Sequence, residues 1–401
     1  MMKKLLLTFT YLVFVTALSS RTQTTLDYQS KGHPVIGQDF MVVSQNIHAT
    51  EVGYEILKKG GNAVDASVAV GFALAVTLPR AGNLGGGGFI LIYDKGTDKI
   101  SSIDYRSAAP KNATSEMYVD GDSVKRFGHL VNAVPGSVAG LLKAHEDFGS
   151  LPLRTLLQPA IDLAKDGFEV TYDLNYVLEW GKESMLANQA SRDKFYSSSQ
   201  EPLKVKSNFK QPELAKTLFK ISKQGSEIFY KGEIAEWISE ESLSNGGLIT
   251  LDDMASYKAK YREPIEIDYR GYRIVSMGPA ASGGLVLLQT LNILENFNLK
   301  ETGHNSAVTV HLLSEAMQRA FADRAVFHGD PDYYDVPVEK SLSKEYAKER
   351  AQTIGELRTK DGEIFAGNLK NYDESPDTTH YSIIDSEGNA VSNTYTLGSS
   401  F

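Results

Sequence analysis

The sequence predicts a layered α+β fold, and three observations carry that prediction. Helix-like and strand-like segments alternate along the whole length, the strand-like ones come as hairpins, and no internal repeat interrupts the pattern. A chain of 401 residues can bury a large core. Hydrophobic residues make up 42% and charged residues 23%, which excludes a largely disordered, collagen-like or coiled-coil chain.

The elements follow in order. Lys3 and Lys4 precede an apolar run from Leu5 to Leu18, and Ala17-Leu18-Ser19 offers small residues for cleavage, so residues 1–20 read as a secretory signal peptide. No later stretch approaches the length of a membrane span, so no span is expected in the mature chain. Thr50 to Lys59 reads as a helix stopped by Gly60-Gly61. Ala66 to Leu78 is small and apolar on every side, which predicts a buried helix. Phe89 to Asp94 and Ile100 to Arg106 read as strands joined by a turn over residues 95–98. Helices are expected from Ser137 to Phe148 and from Leu153 to Asp166, the second interrupted by Pro159. Residues 181–212 read as polar and irregular. Pro264 to Met277 reads as a hairpin turning at Arg270-Gly271, and Ser306 to Phe327 as the longest helix, with Leu312, Ala316, Met317 and Ala320 as core. Residues 360–377 read as a loop.

Charge and residue usage narrow the chemistry. Lys plus Arg total 41 against 50 Asp plus Glu, a net charge of -9, which argues against nucleic acid as a partner. The chain has no cysteine, which excludes disulfides, a thiol nucleophile and thiolate metal sites. Eight histidines are scattered without a His-x-x-x-His pair, so no metal site is expected. Gly85 to Gly88 lacks the Gly-Lys-Ser/Thr ending of a phosphate loop and leads into a strand, so close backbone packing is expected there. Ser282-Gly283-Gly284 lacks the Gly-x-Ser-x-Gly elbow and reads as a helix N-cap.

The last hairpin carries the strongest chemical signal. Thr378 to Asp385 reads as a strand, Ser386-Glu387-Gly388 as a three-residue turn with Gly388 at positive φ, and Asn389 to Leu397 as the return strand. With Asp385 opposite Asn389, Thr378 falls opposite Thr396. Threonine is also simply a good strand residue, so spacing alone leaves both readings open. A threonine becomes an effective nucleophile when its own α-amine serves as base, which requires that it begin a chain. Thr378 gains that amine only if the Asp377-Thr378 bond is broken, and its hydroxyl can attack the preceding carbonyl to do so.

The Thr378-Thr379-His380-Tyr381-Ser382 segment, with Gly388-Asn389-Ala390-Val391 and Thr394-Tyr395-Thr396, resembles the start of the small subunit of γ-glutamyltranspeptidases (glutathione hydrolases). Six further segments resemble landmarks of that family in the same order: KKGGNAVD from Lys58, AGNLGGGGF from Ala81, PGSVAG from Pro135, LQPA from Leu157, MGPAASGG from Met277 and EAMQRAFADR from Glu315. The resemblance implies an N-terminal-nucleophile hydrolase with an αββα sandwich, incomplete in this chain. It implies a proenzyme that cleaves itself between Asp377 and Thr378, with residues 21–377 as large-subunit region and residues 378–401 as the start of the small, catalytic subunit. The family's small subunit runs much further past the nucleophile, so the resemblance implies a fragment of a longer proenzyme.

The resemblance also implies the site. Thr378 matches the nucleophile, Thr396 the second threonine that orients it, and Arg106 the arginine that grips the substrate α-carboxylate, a task for which a permanent forked cation is suited. Two positions depart from the family pattern. Ser107 stands where a glutamate is usual, and Gly398 stands where an asparagine contacts the glutamyl group. The implied activity is γ-glutamyl transfer and hydrolysis, with glutathione and related compounds as donors, amino acids or peptides as acceptors, and no cofactor or metal. Two alternatives are a related acylase of the cephalosporin or poly-γ-glutamate type, and a non-catalytic secreted binding protein.

Overall fold

The computed structural model describes residues 34–120, 123–124, 127–360, 362–365 and 378–398. The expected signal peptide, Asp377 and most of the expected loop at 360–377 lie outside these residues. The chain divides into Met1–Asp39, of which residues 34–39 are described and carry no helix or strand, and Phe40–Phe401, which holds the fold.

The core is organised around one helix. Strand β1 (Met41–Val43) leads into α1 (Ile47–Lys58) and then α2 (Ala63–Thr77). Every residue of α2 is buried, because its sequence offers no polar face. Its one charged residue, Asp65, is fully consumed. Asp65 Oδ2 accepts the Asn62 N–H at 3.0 Å in a capping box, and its carboxylate also takes N–H bonds from Ser150 and Leu151. Helix α1 starts three residues before the expected Thr50. The Asn46 side chain accepts from the His48 and Ala49 amides and nucleates the first turn earlier than the apolar pattern suggests.

Strands β2 (Gly87–Asp94) and β3 (Lys99–Asp104) form the expected hairpin, but β3 ends two residues before Arg106, which was expected within it. Helices α3 (Ser137–Phe148) and α4 (Leu153–Asp166) have the expected bounds, and α4 continues unbroken through Pro159. Residues 181–212, expected to be irregular, instead contain helices Lys182–Ala187 and Gln189–Phe195 and a short strand, Asn208–Phe209. The segment is polar because these helices are short and largely solvated. It is ordered by local bonds: Asn188 caps the second helix, and the Tyr196 hydroxyl donates to Leu178 O at 2.6 Å.

Strand β4 (Lys260–Arg262) precedes the hairpin of β5 (Ile265–Tyr269) and β6 (Tyr272–Ser276). The turn falls at Arg270-Gly271, as expected, and both residues take positive φ there. Helix α5 (Ser282–Leu294) follows, and Ala281 occupies the cap position without a side-chain bond, so Ser282 is the first helical residue and not the N-cap. Helix α6 (Ala307–Phe327) starts at the Ser306 cap. Leu312, Ala316 and Ala320 are buried in it, but Met317 is 40% exposed, because it lies on the neighbouring face of the helix.

The closing hairpin, β7 (Thr379–Ile384) and β8 (Ala390–Thr396), inserts into the sheet and does not merely extend it. The strand order is β1-β7-β8-β2-β3-β4, antiparallel throughout. One face of this sheet packs on the helical core through Ile90, Ile103, Tyr381, Ile383, Val391 and Tyr395. Each such aliphatic side chain contributes about 1.5–3 kcal/mol on burial. Two tyrosines also bolt the sheet to α2: Tyr381 donates to Ser67 O at 2.9 Å and Tyr395 to Gly71 O at 2.8 Å. The opposite face shares a cavity of about 350 Å³ with Val275 of β6. The other side of the β5–β6 hairpin packs Ile265, Ile267 and Ile274 on Leu285 and Leu288 of α5. Helices, six-stranded sheet, hairpin and helices thus succeed one another in the αββα order.

Candidate active site

The site forms where four neighbouring strands end together. Pairing runs Thr379 with Tyr395 through Ile384 with Ala390, the register expected from the turn. That turn is built by Asp385, whose carboxylate accepts the Glu387 and Asn389 amides, and by Gly388 at φ 86°. Continuing the register brings Thr378, one residue before β7, opposite Thr396, the last residue of β8. On its other side Thr396 pairs with Gly87, where β2 begins. Arg106 lies two residues beyond the end of β3.

The glycine run explains how these backbones come so close. A Cβ on Gly86 would stand 2.0 Å from Thr396 O, one on Gly87 2.3 Å from Ser107 N, and one on Gly88 2.4 Å from Thr394 O. Gly85 alone has open space around it. Asn83 fixes the run by accepting the Gly86 amide at 2.7 Å and the Ser137 hydroxyl at 2.6 Å. The run is therefore a packing device beside the site, as its sequence context predicted.

Arg106, Ser107, Thr378, Thr396 and Gly398 all line one cavity of about 1420 Å³. Thr378 is exposed to it. The Thr396 hydroxyl accepts the Gly398 N–H at 2.9 Å, a bond made by the backbone fold at Gly398, where φ is 109°. Arg106 is exposed, and among the described residues no carboxylate pairs with its guanidinium. By contrast Arg262, on the same wall, is saturated. It binds Asp332 through two bonds at 2.7 and 3.0 Å and Asp104 at 3.1 Å. Asp332, which Lys260 also contacts, is held far below the usual carboxylate range first by Arg262 and then by Lys260. His328 is lowered to about 4, mainly by burial and further by Arg324, so it is neutral near pH 7. A cavity that holds the Arg106 guanidinium, with no carboxylate partner among the described residues, beside two threonine hydroxyls can hold a carboxylate next to a hydroxyl group.

Sequence reasoning missed the rest of this wall: Asp104, Tyr257, Arg262, His328 and Asp332. No motif spacing marks them, since Arg262 and Asp104 stand 158 residues apart and meet only through β3–β4 pairing.

Comparison with known proteins follows the same direction. Residues 49–401 match the family model described as Gamma-glutamyltranspeptidase. The chain is 47% identical over 375 residues to the glutathione hydrolase proenzyme of Escherichia coli, covering 92% of this chain and 64% of that protein's length. Among solved structures it is similar to Helicobacter pylori γ-glutamyltranspeptidase, with 39% identity and a TM-score of 0.80 over 82% of this chain and 97% of the other. It is also similar to a cephalosporin acylase from Bacillus halodurans, with 29% identity and a TM-score of 0.77 over 94% of this chain and 70% of the other.

Proposed function

This chain belongs to the γ-glutamyltranspeptidase family, and from that membership we propose that it is part of an exported proenzyme that matures by cutting itself before Thr378. In this reading residues 1–20 are removed on export to the periplasm or beyond the cell. Residues 21–377 form the large-subunit region, residues 378–401 begin the small subunit, and both subunits come from one precursor. Among the described residues no helix is long and apolar enough to cross a membrane.

The proposed reaction is γ-glutamyl transfer and hydrolysis. The donor is glutathione or a related γ-glutamyl compound, whose α-carboxylate binds Arg106. Thr378 Oγ1 attacks the γ-carbonyl carbon while the α-amine of Thr378 takes the hydroxyl proton. The tetrahedral intermediate collapses, the C–N bond breaks, and the amine passes its proton to the leaving nitrogen. A γ-glutamyl ester on Thr378 remains. Water, or the amine of an amino acid or peptide, then attacks the ester and regenerates the threonine. In this reading the Thr396 hydroxyl, opposite Thr378 in the hairpin register, orients the nucleophile. The observation that supports this reading best is the meeting of Arg106, Thr378 and Thr396 in one cavity.

Thr396→Val tests it, because valine keeps the branched shape and strand propensity and deletes only the hydroxyl. Single-turnover acylation by a chromogenic γ-glutamyl anilide is expected to fall by about tenfold or more, equivalent to about 1.4 kcal/mol, with the melting curve little changed. Acylation at the parent rate would sink the paired-threonine mechanism. Likeness to the cephalosporin acylase favours a second reading, in which the donor is an N-acyl cephalosporin. Faster turnover of an N-acyl cephalosporin than of the anilide would establish it.

A further inference from the structure

We propose that Tyr257 and Asp104 are positioning residues that clamp the backbone of Arg106 from both sides and so set where its guanidinium meets the donor. The proposal rests on the reading above, in which Arg106 takes the α-carboxylate. Arg106 lies outside any strand, so no ladder bond fixes it. Two side chains do so instead. Asp104 Oδ1 accepts the Arg106 N–H at 3.0 Å, and the Tyr257 hydroxyl donates to Arg106 O at 2.8 Å. The guanidinium is left unpaired among the described residues, while the peptide groups on either side of its Cα are held.

Each arm of the clamp is itself anchored. Asp104 is buried, and its other oxygen accepts from Arg262 Nε, which Asp332 holds through its two terminal nitrogens. The Tyr257 ring stacks on Tyr230 at 5.6 Å with an interplanar angle of 11°. Tyr230 is buried and donates to Pro135 O at 2.9 Å. Burial, and secondly the Asp104 charge, raise the Tyr257 phenol above its ordinary range, so it stays protonated as a donor. Gly136 leaves room for the tyrosine arm, and Gly87 for the backbone on either side of Arg106. A Cβ on Gly136 would stand 2.0 Å from Tyr105 O and 2.1 Å from the Tyr257 hydroxyl, and one on Gly87 would stand 2.7 Å from Tyr105 O.

A clamp and a mere fold contact predict different kinetics. A loosened Arg106 binds the α-carboxylate less well but leaves donors without that group unaffected. The test uses the mature enzyme made from its complete gene and two donors, the γ-glutamyl p-nitroanilide and the 4-aminobutyryl p-nitroanilide, which differ only in the α-carboxylate. The readout is the ratio of their kcat/KM values. Tyr257→Phe keeps the stacked ring and deletes one hydroxyl, and is expected to lower the ratio about five- to tenfold, mainly through KM of the γ-glutamyl donor. Asp104→Ala removes the other arm and is expected to lower it at least as much. Arg106→Ala run alongside separates the two ideas. If it leaves the ratio unchanged, the arginine does not read the carboxylate, and the clamp falls with that reading. If it collapses the ratio while Tyr257→Phe slows both donors equally or neither, the arginine reading stands and the clamp is overturned.

Discussion

Thr378→Ala is expected to leave one uncut chain with no turnover of γ-glutamyl donors. In the proposed maturation the wild-type hydroxyl attacks the Asp377 carbonyl carbon, the peptide C–N bond breaks as the hydroxyl proton passes to the leaving nitrogen, and an ester forms between Asp377 and Thr378 Oγ1. The α-amine of Thr378 is then free, and water hydrolyses the ester to a new carboxylate on Asp377 and a regenerated Thr378 hydroxyl. Alanine has no oxygen to begin this sequence, and without it neither nucleophile nor α-amine base exists. The fold should survive, because Thr378 is exposed and stands before the ladder, which starts at Thr379 paired with Tyr395. A normal melting curve with a single band would therefore report lost chemistry and not lost structure. N-terminal sequencing of the small product from the wild type decides the cleavage point. A fragment beginning at any residue other than Thr378 would sink the assignment.

The parts of this site that were legible in the sequence are those governed by local rules. The Asp385-to-Asn389 turn needs one residue at positive φ, and Gly388 is where that residue must be, so the register of β7 and β8 followed from the turn alone. Arg270-Gly271 worked in the same way. The buried helix α2 was readable because it has no polar face, but its start was not, since Asn62 and Asp65 close a capping box ahead of the apolar run. Met317 was misplaced because helical spacing gives a set of faces without saying which of them meets the core. The roles of Arg106 and Thr396 were reached through resemblance to a family, since a strand threonine and an arginine at a strand end each have an ordinary structural explanation. Tyr257 and Arg262 were invisible. Their partners lie 151 and 158 residues away, and only the folded sheet brings them together.

Arg106→Ala is expected to cut kcat/KM for γ-glutamyl donors by about ten- to a hundredfold, while self-cleavage proceeds to completion. A charge-assisted bond is typically worth about 1.5–3 kcal/mol, and a bidentate guanidinium-carboxylate pair stands at the upper end. Maturation involves no substrate carboxylate, so it does not need this side chain. Stability should change little, because the guanidinium is exposed and has no carboxylate partner among the described residues. The backbone bonds from Asp104 and Tyr257 do not depend on the side chain and remain available to alanine. Arg106→Lys separates charge from shape: lysine keeps the cation but loses the planar fork, and should recover only part of the activity. A variant that matures normally and turns over a γ-glutamyl anilide at the parent rate would remove Arg106 from the site. It would also shift the weight to acylase-type donors.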